Sequence, residues 1–143
     1  MEQLLYSGDE FKKKVLESIR TAQGSIYISC YIFGDDRFGH QVFEELISKA
    51  NNGLSIKLIL DGFGSWAFIQ KQIKDLPLQF KIAIFHPLPF SKKSSHFFLK
   101  NKLYYINRRN HHKIIIVDKK IAIIGSRNIC DESLNWHEIS ALV

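Results

Sequence analysis

Two side chains that could handle a phosphate group stand close together in this sequence. His111 and Lys113 are separated by one residue, immediately before an apolar run at residues 114–117. If that run is a β-strand, side chains two positions apart project from the same face. An imidazole can act as a nucleophile or as an acid–base group near neutral pH, and an ammonium can bond a phosphate oxygen. The pair therefore indicates phosphoryl chemistry, although a histidine and a lysine at a strand end are more often solvated surface.

A second apolar run, residues 121–124, follows closely enough to form a β-hairpin with the first. The three polar residues 118–120 separate the two runs, as the turn of a hairpin does. The second run leads directly into the segment 125–128, which reads Gly-Ser-Arg-Asn. A hairpin would bring the side chains of Ser126 and Asn128, both hydrogen-bond donors, back towards the histidine and the lysine.

The composition is that of one folded domain with an anionic partner. The chain has 143 residues, is 45% hydrophobic and carries a formal charge of +6 with a pI near 9.3. This charge favours nucleic acid, an anionic membrane surface or a phosphorylated small molecule without choosing among them. Cys30 and Cys130 form no CxxC pair, so we expect buried free thiols in a reducing compartment. No apolar run approaches the roughly 20 residues of a membrane span, and the N-terminus lacks signal-peptide features. We therefore expect a soluble, cytoplasmic protein.

Hydrophobic periodicity predicts helices and strands in alternation ahead of the hairpin. Helices are predicted over residues 9–22, 38–50 and 65–74, and strands over residues 25–33, 54–60, 79–85 and 139–143. A strand, helix, strand, helix, strand order implies an α/β sandwich with parallel pairing. Residues 130–135 are predicted to form a turn or a short helix.

Residues 86–110 lack a periodic pattern, and loops of such length are often functional. Several basic residues lie here among aromatic ones, including Arg108 and Arg109 beside Asn110. They are candidates for binding a lipid head group or a nucleic-acid backbone, and a merely solvated loop fits equally well.

The spacing of the hairpin residues resembles the signature of the phospholipase D superfamily, the HKD phosphodiesterases. His111-x-Lys113 is followed by four residues, Asp118, six residues and then Gly125-Ser126-x-Asn128. Further segments resemble the N-terminal half of bacterial cardiolipin synthases, and the resemblance extends over residues 4–143. These segments are Tyr31-Ile32-Phe33 with Asp35-Asp36, Asp61-Gly62-Phe63-Gly64-Ser65, Asn107-Arg108-x-Asn110, and Asn128-Ile129-x-Asp131-Glu132. The residue between the motif histidine and lysine is often Arg in that family and is His112 here, which we expect to be tolerated and not catalytic.

This resemblance implies a fold, a reaction and a set of roles. The fold would be a phospholipase D-like α-β-α sandwich with a mixed sheet and helices on both faces. The reaction would be phosphatidyl transfer through a phosphohistidine, with His111 as nucleophile or general acid. Lys113, Asn128 and Ser126 would donate hydrogen bonds to the phosphate oxygens. Glu138 would accept from the other imidazole nitrogen, and an exposed glutamate at a strand start fits that position equally well. No metal or other cofactor is required.

Asp118 completes the motif, but its place in the hairpin turn favours a structural role through backbone hydrogen bonds.

A single domain, residues 1–143, carries only one HKD motif, whereas members of this superfamily build each site from two. The partner would be a second HKD half, supplied by a longer chain or by a homodimer, and we favour the longer chain. The substrate would be a phospholipid or another phosphodiester, with peripheral contact at the inner membrane. Two alternatives remain open: a dimeric phosphodiesterase of nucleic acid, and a non-catalytic module that binds phosphate or lipid head groups.

Overall fold

The computed structural model describes residues 2–87 and 108–143, so most of the predicted 86–110 loop lies outside the described residues. Within these two ranges, seven strands form one sheet in the order β1-β7-β6-β5-β2-β3-β4. Their bounds are β1 Gln3–Leu5, β2 Ser25–Cys30, β3 Ser55–Asp61, β4 Phe80–Phe85, β5 Ile114–Val117, β6 Ile121–Gly125 and β7 Ser140–Leu142. Strand β1 has only three residues and was not predicted.

The sheet is mixed, with a parallel half and an antiparallel half. Strands β2, β3 and β4 pair in parallel, which confirms the predicted pairing. Strands β5 and β6 form the predicted antiparallel hairpin, with Ile114 opposite Ile124. Strand β5 also pairs antiparallel with β2, so the hairpin joins the parallel half at the centre of the sheet. Strands β7 and β1 complete the antiparallel half.

Four helices are found in the described part of the chain: α1 Gly8–Thr21, α2 Arg37–Asn51, α3 Trp66–Gln72 and α4 Asp131–Leu134. Helix α1 begins with a capping box, in which the Ser7 hydroxyl accepts from the Glu10 N–H at 3.1 Å and the Glu10 carboxylate accepts from the Ser7 N–H at 3.1 Å. Asp36 caps α2 by accepting from the Gly39 N–H at 2.9 Å.

The core lies between these helices and one face of the sheet. Alternate residues of the central strands, such as Ile26 and Ile28 of β2 and Ile56 and Leu58 of β3, are at most 2% exposed. They pack in one cluster with apolar side chains of α1, α2 and α3. The intervening residues point to the other face, where Ile59 is 45% exposed. The α/β class with a mixed sheet and helices is confirmed; the helices that a sandwich needs on the second face are not among the described residues.

Both cysteines are free and buried, as expected. Burial raises the pKa of the Cys30 thiol and raises that of Cys130 to about 11. Neither thiol is therefore ionised near neutral pH, and both act as small core residues.

Candidate active site

The segments that carry His111, Lys113 and Asn128 lie at one edge of the sheet, where the parallel strands β2 and β3 end. Tyr31 directly follows β2, Asp61 is the last residue of β3, and Lys113 directly precedes β5. Because β5 runs antiparallel to β2, its start lies beside the end of β2. The carboxyl edge of parallel strands is the usual place for a ligand in an open α/β sheet.

His111 and Lys113 both contact the ring of Tyr31. The imidazole stacks on the phenol ring with the centroids 4.4 Å apart and the planes 14° from parallel. The Lys113 Nζ lies 5.7 Å from the centroid of the same ring and donates to the carbonyl of His111 at 2.7 Å. The imidazole and the ammonium thus share one site, with the His111 side chain exposed to solvent.

Asn128 is joined to this group through the backbone next to Tyr31. Its Oδ1 accepts from the Ile32 N–H at 3.0 Å, and its residue is only 3% exposed. Because the carbonyl oxygen is engaged in this way, the amide NH₂ is the part of the side chain that is left to donate. Its own backbone N–H donates to the Ser133 hydroxyl at 2.8 Å.

Ser126 is exposed and lies against the start of β7. Its hydroxyl donates to the Ile139 carbonyl at 3.2 Å and accepts from the Ile139 N–H at 3.3 Å. The hairpin brings this segment beside Lys113, whose carbonyl accepts from the Gly125 N–H at 3.3 Å. The return of Ser126 and Asn128 towards the histidine and the lysine agrees with the hairpin prediction.

Glu138 is not hydrogen-bonded to His111 within the part of the chain that the structure describes. Its carboxylate accepts from the Ser133 hydroxyl at 3.2 Å. Because that same hydroxyl receives the Asn128 N–H, Glu138 connects to the site through Ser133. The expected contact between Glu138 and the imidazole therefore stays a prediction.

The three candidate substrate-binding residues differ in exposure. Arg108 is exposed. The Arg109 side chain is only 10% exposed, with NH1 3.7 Å from an Asp61 oxygen and the guanidinium 5.3 Å from the centroid of the Phe63 ring. Asn110 is buried, and its Nδ2 donates to the Ser29 hydroxyl at 2.9 Å. The internal contacts of Arg109 and Asn110 fix the segment that leads into His111.

The fully buried Asp61 carboxylate is hydrogen-bonded to the segment that leads into His111. One of its oxygens accepts from the Asn110 N–H at 2.9 Å, and the other accepts from the N–H groups of Phe63 and Gly64. The turn-cap role that we considered for Asp61 agrees with these bonds, whereas its contact with Asn110 could not be read from spacing alone.

Asp118 lies at the opposite end of the hairpin. Its carboxylate accepts from the backbone N–H groups of Gln23, Gly24 and Ser25 at 2.7 to 2.8 Å. These bonds lower the pKa of the carboxyl from its usual value, and the bond from Ser25 contributes most to this lowering. These contacts agree with the expected structural role, because they join the turn of the hairpin to the connection between α1 and β2.

Arg127 has a role that the sequence did not suggest. It is 3% exposed, and its guanidinium donates to the carbonyls of Tyr6, Ser133, Trp136 and Glu138. These bonds connect the end of the hairpin to the segment that carries Glu138. Backbone carbonyls have no sequence signature, which explains why the contact was not predicted.

Within residues 2–87 and 108–143, no group of three or more acidic, histidine or cysteine side chains is arranged to hold a metal ion. No helix in these ranges is long and apolar enough to cross a membrane.

A mixed sheet with an HxK pair before one strand of a hairpin and a GSxN segment after the other defines a phospholipase D-like domain. The chain belongs to this family: residues 15–143 match the model described as "Cardiolipin synthase, PLD-like domain". It is 34% identical over 131 residues to a cardiolipin synthase of Halalkalibacterium halodurans, a match that covers 92% of this chain and 24% of that protein. The chain thus spans about a quarter of the length of the curated relatives that it matches.

Solved structures show the same fold at low sequence identity. NucT from Helicobacter pylori superposes with a TM-score of 0.68 at 17% identity, covering 99% of this chain and 84% of that one. Phosphatidylserine synthase from Haemophilus influenzae superposes with a TM-score of 0.69 at 18% identity, covering 99% of this chain and 32% of that one. At these identities the likeness establishes the fold alone.

Proposed function

We propose that this chain carries one half of a phosphodiester-exchange site, and that the complete enzyme transfers a phosphatidyl group from one phospholipid to a hydroxyl of another. The main support is the exposed His111 imidazole held beside the Lys113 ammonium on one aromatic ring. The choice of a lipid substrate rests on the family description and on relatives named cardiolipin synthase.

The proposed reaction has two steps. A ring nitrogen of His111 attacks the phosphorus, and the bond to the first alcohol breaks with its electron pair on that alcohol. A second histidine, from the second motif, gives the alcohol its proton. A hydroxyl of the second phospholipid then gives its proton to that histidine and attacks the phosphohistidine. The P–N bond breaks, and His111 is regenerated. Water in place of the second lipid would give hydrolysis.

Three side chains are proposed to stabilise the negative charge that builds on the phosphate oxygens. The Lys113 ammonium has three N–H donors, and one of them is engaged by the His111 carbonyl. Asn128 offers its amide NH₂. The Ser126 hydroxyl donates to the Ile139 carbonyl in this structure, so it would have to turn from that carbonyl to bond the phosphate. Donors held in place before the reaction stabilise the transition state without further reorganisation.

Glu138 is proposed to accept from the ring nitrogen of His111 that does not attack. A carboxylate there would fix the tautomer and stabilise the imidazolium. The hydrogen bond from the Ser133 hydroxyl keeps the carboxylate close to Asn128.

We propose that the protein is cytoplasmic and contacts the inner membrane peripherally. The formal charge of +6 would attract the chain to anionic head groups. Co-sedimentation with phosphatidylglycerol vesicles, compared with phosphatidylcholine vesicles, measures this contact directly.

A homodimeric phosphodiesterase of nucleic acid is the second candidate. The support for this candidate is the length of NucT. This chain covers 84% of NucT, so a chain only a little longer than this one carries the fold. In a homodimer, His111 of a second copy would supply the proton that the first candidate takes from another domain.

Two diesters with the same leaving group separate the candidates. Phosphatidyl-4-nitrophenol carries a lipid, and thymidine 5′-(4-nitrophenyl phosphate) carries a nucleoside. Nitrophenolate leaves as a stable anion, so the first step needs no proton from a second histidine. The isolated chain can therefore form the covalent intermediate with either compound.

The lipid proposal predicts that phosphatidyl-4-nitrophenol reacts faster and gives a burst of one nitrophenolate per chain, followed by slow turnover. The chain should be monomeric by light scattering. A dimer that turns over the nucleoside diester continuously and cleaves single-stranded DNA would replace the first candidate with the second. Binding of either compound without nitrophenolate release would leave only a binding module.

A further inference from the structure

We propose that Tyr31 is a positioning residue for the reaction, because its ring sets the orientation of the His111 imidazole. This inference rests on the proposed function of His111. The two rings are stacked at 4.4 Å and are 14° from parallel, and the Lys113 ammonium is 5.7 Å from the centroid of the same phenol ring. One aromatic side chain thus contacts both groups that are proposed to act on the phosphate.

The backbone around Tyr31 is fixed on both sides. The Ser65 hydroxyl donates to the Tyr31 carbonyl at 3.0 Å and accepts from the Phe33 N–H at 2.9 Å. The Ile32 N–H donates to Asn128 at 3.0 Å. Gly64 packs so closely on the Tyr31 carbonyl that a Cβ there would overlap with it, so a side chain at this position would displace the tyrosine. The backbone of Tyr31 is therefore fixed in position, so its ring can hold the His111 imidazole in one orientation.

Stacking limits the orientations of the exposed His111 ring, and a nucleophile must be held in a defined orientation to react efficiently. A face-on contact limits rotation of the imidazole out of the ring plane and leaves both nitrogens at the ring edge, open to the phosphorus and to a proton acceptor. An exposed side chain that has no such contact would sample several rotamers. The stack uses the face of the imidazole, so it is compatible with the hydrogen bond to Glu138 that is proposed at the ring edge.

Tyr27, within strand β2, provides a matched control for Tyr31. It lies four residues earlier, and its ring has the Lys57 Nζ at 5.3 Å from the centroid. It is paired in the sheet with Lys57 and Ile116, away from His111. Replacement of either tyrosine removes a half-buried aromatic ring near a lysine, but only Tyr31 contacts the histidine.

The kinetic test compares Tyr31→Leu, Tyr31→Phe and Tyr27→Leu in the burst reaction with phosphatidyl-4-nitrophenol. We expect Tyr31→Leu to slow the burst about 10-fold, because a stacked aromatic pair and the orientation that it enforces are lost. Tyr31→Phe should react within about 2-fold of the wild type, since it keeps the ring. Tyr27→Leu should react at the wild-type rate. If Tyr31→Leu unfolds at the assay temperature, Tyr31→Met replaces it.

A spectroscopic test reads the contact without any reaction. Ring protons of His111, assigned by their loss in His111→Asn, should be shielded by Tyr31. They should move downfield in Tyr31→Leu, remain close to the wild-type position in Tyr31→Phe and not move in Tyr27→Leu. Unchanged His111 signals in Tyr31→Leu, or an unchanged burst rate, overturn the inference alone. A wild-type chain with a shielded His111 but no burst overturns the proposed function, and the inference with it.

Discussion

The two ends of the β5–β6 hairpin carry residues of the same motif in opposite environments. At one end, His111 is exposed and its imidazole contacts an aromatic ring, while the Lys113 ammonium bonds one backbone carbonyl. At the other end, Asp118 uses its carboxylate to accept from three backbone N–H groups. The five residue-to-residue steps from Lys113 to Asp118 span about 16 Å of extended strand, too far for Asp118 to touch the same phosphate.

The residues of this one motif therefore have two kinds of proposed role: His111 and Lys113 act in the reaction, and Asp118 stabilises the fold. Lys113 and Asn128, which are proposed to bond the substrate, have N–H donors without a partner among the described residues. The Asp118 carboxylate, which holds two segments together, has its acceptors filled. If this account is right, substitutions at the open end should change reaction rates and leave stability nearly unchanged. Substitutions at the Asp118 end should do the reverse.

The largest effect is expected at the nucleophile. His111→Asn should reduce the nitrophenolate burst by about 10³-fold or more, because it removes the nitrogen that is proposed to form the covalent intermediate. Its melting temperature should remain close to that of the wild type, since the side chain is exposed. His112→Asn is the matched control, as His112 is the exposed neighbour, and it should react normally. Equal losses in both variants would remove the distinction between the two histidines.

Lys113→Met should slow the burst by about 10²-fold, because one charged donor to the phosphate oxygens is lost while the apolar stem is kept. Lys119→Met, at the turn end of the same hairpin, removes the same charge at an exposed position and should have little effect. Stopped-flow release of nitrophenolate measures both rates. A similar small loss in the two variants would indicate that only the overall charge matters.

At the turn end, Asp118→Gly should lower the free energy of unfolding by about 1–2 kcal/mol, because three backbone N–H groups lose their acceptor at a partly exposed site. Glycine suits the positive φ of 52° at this position, so backbone strain does not contribute. Asp118→Asn keeps one acceptor oxygen and should lose less. Urea unfolding provides the measurement, and the burst rate of the folded variant should not change. A slow burst with normal stability would show that Asp118 takes part in the reaction.

The smallest expected effect is on the way the stability of the fold decreases at acidic pH. The pKa of Asp118 is lowered by hydrogen bonds from Ser25, Gln23 and Gly24, and the pKa of Asp35 is lowered by the bonds from Lys71, His40 and Gln72. A depressed folded-state pKa contributes stability above the unfolded value of about 3.9, and this contribution is lost as the pH falls through the folded-state pKa. Thermal unfolding between about pH 5 and pH 2 should therefore show a steeper loss of stability in the wild type than in Asp118→Asn. Parallel curves would show that Asp118 is bonded as weakly in the folded chain as in the unfolded one.

Much of the fold could be predicted because the pattern of apolar residues is local. The hairpin, the capped helices and the parallel strands follow from periodicity and turn residues within short windows. The prediction that β2 continues to residue 33 was too long, because the strand ends at Cys30. The Ile32 and Phe33 N–H groups bond the side chains of Asn128 and Ser65 instead of a neighbouring strand, and such partners are distant in sequence.

The candidate site was predictable as a set of residues but not as a set of contacts. Spacing identified His111, Lys113 and Asn128 and assigned Asp118 to structure. It could not show that Tyr31 stacks on the histidine or that Arg127 bonds four carbonyls, because both depend on how separate segments pack. Short strand β1 was missed for a similar reason, since three residues carry too little pattern and its pairing with β7 joins the two ends of the chain.

The most direct measurement is the mass of the peptide that contains His111 after the chain has reacted with phosphatidyl-4-nitrophenol. The reaction is quenched with denaturant at mildly alkaline pH, because acid would cleave a phosphohistidine and strong alkali would cleave the fatty-acyl esters, and the digest is sequenced by tandem mass spectrometry. The account predicts one phosphatidyl group on His111 and none on His112 or His137, in an amount equal to the nitrophenolate burst. A burst accompanied by an unmodified His111, or by modification of another residue, would contradict it.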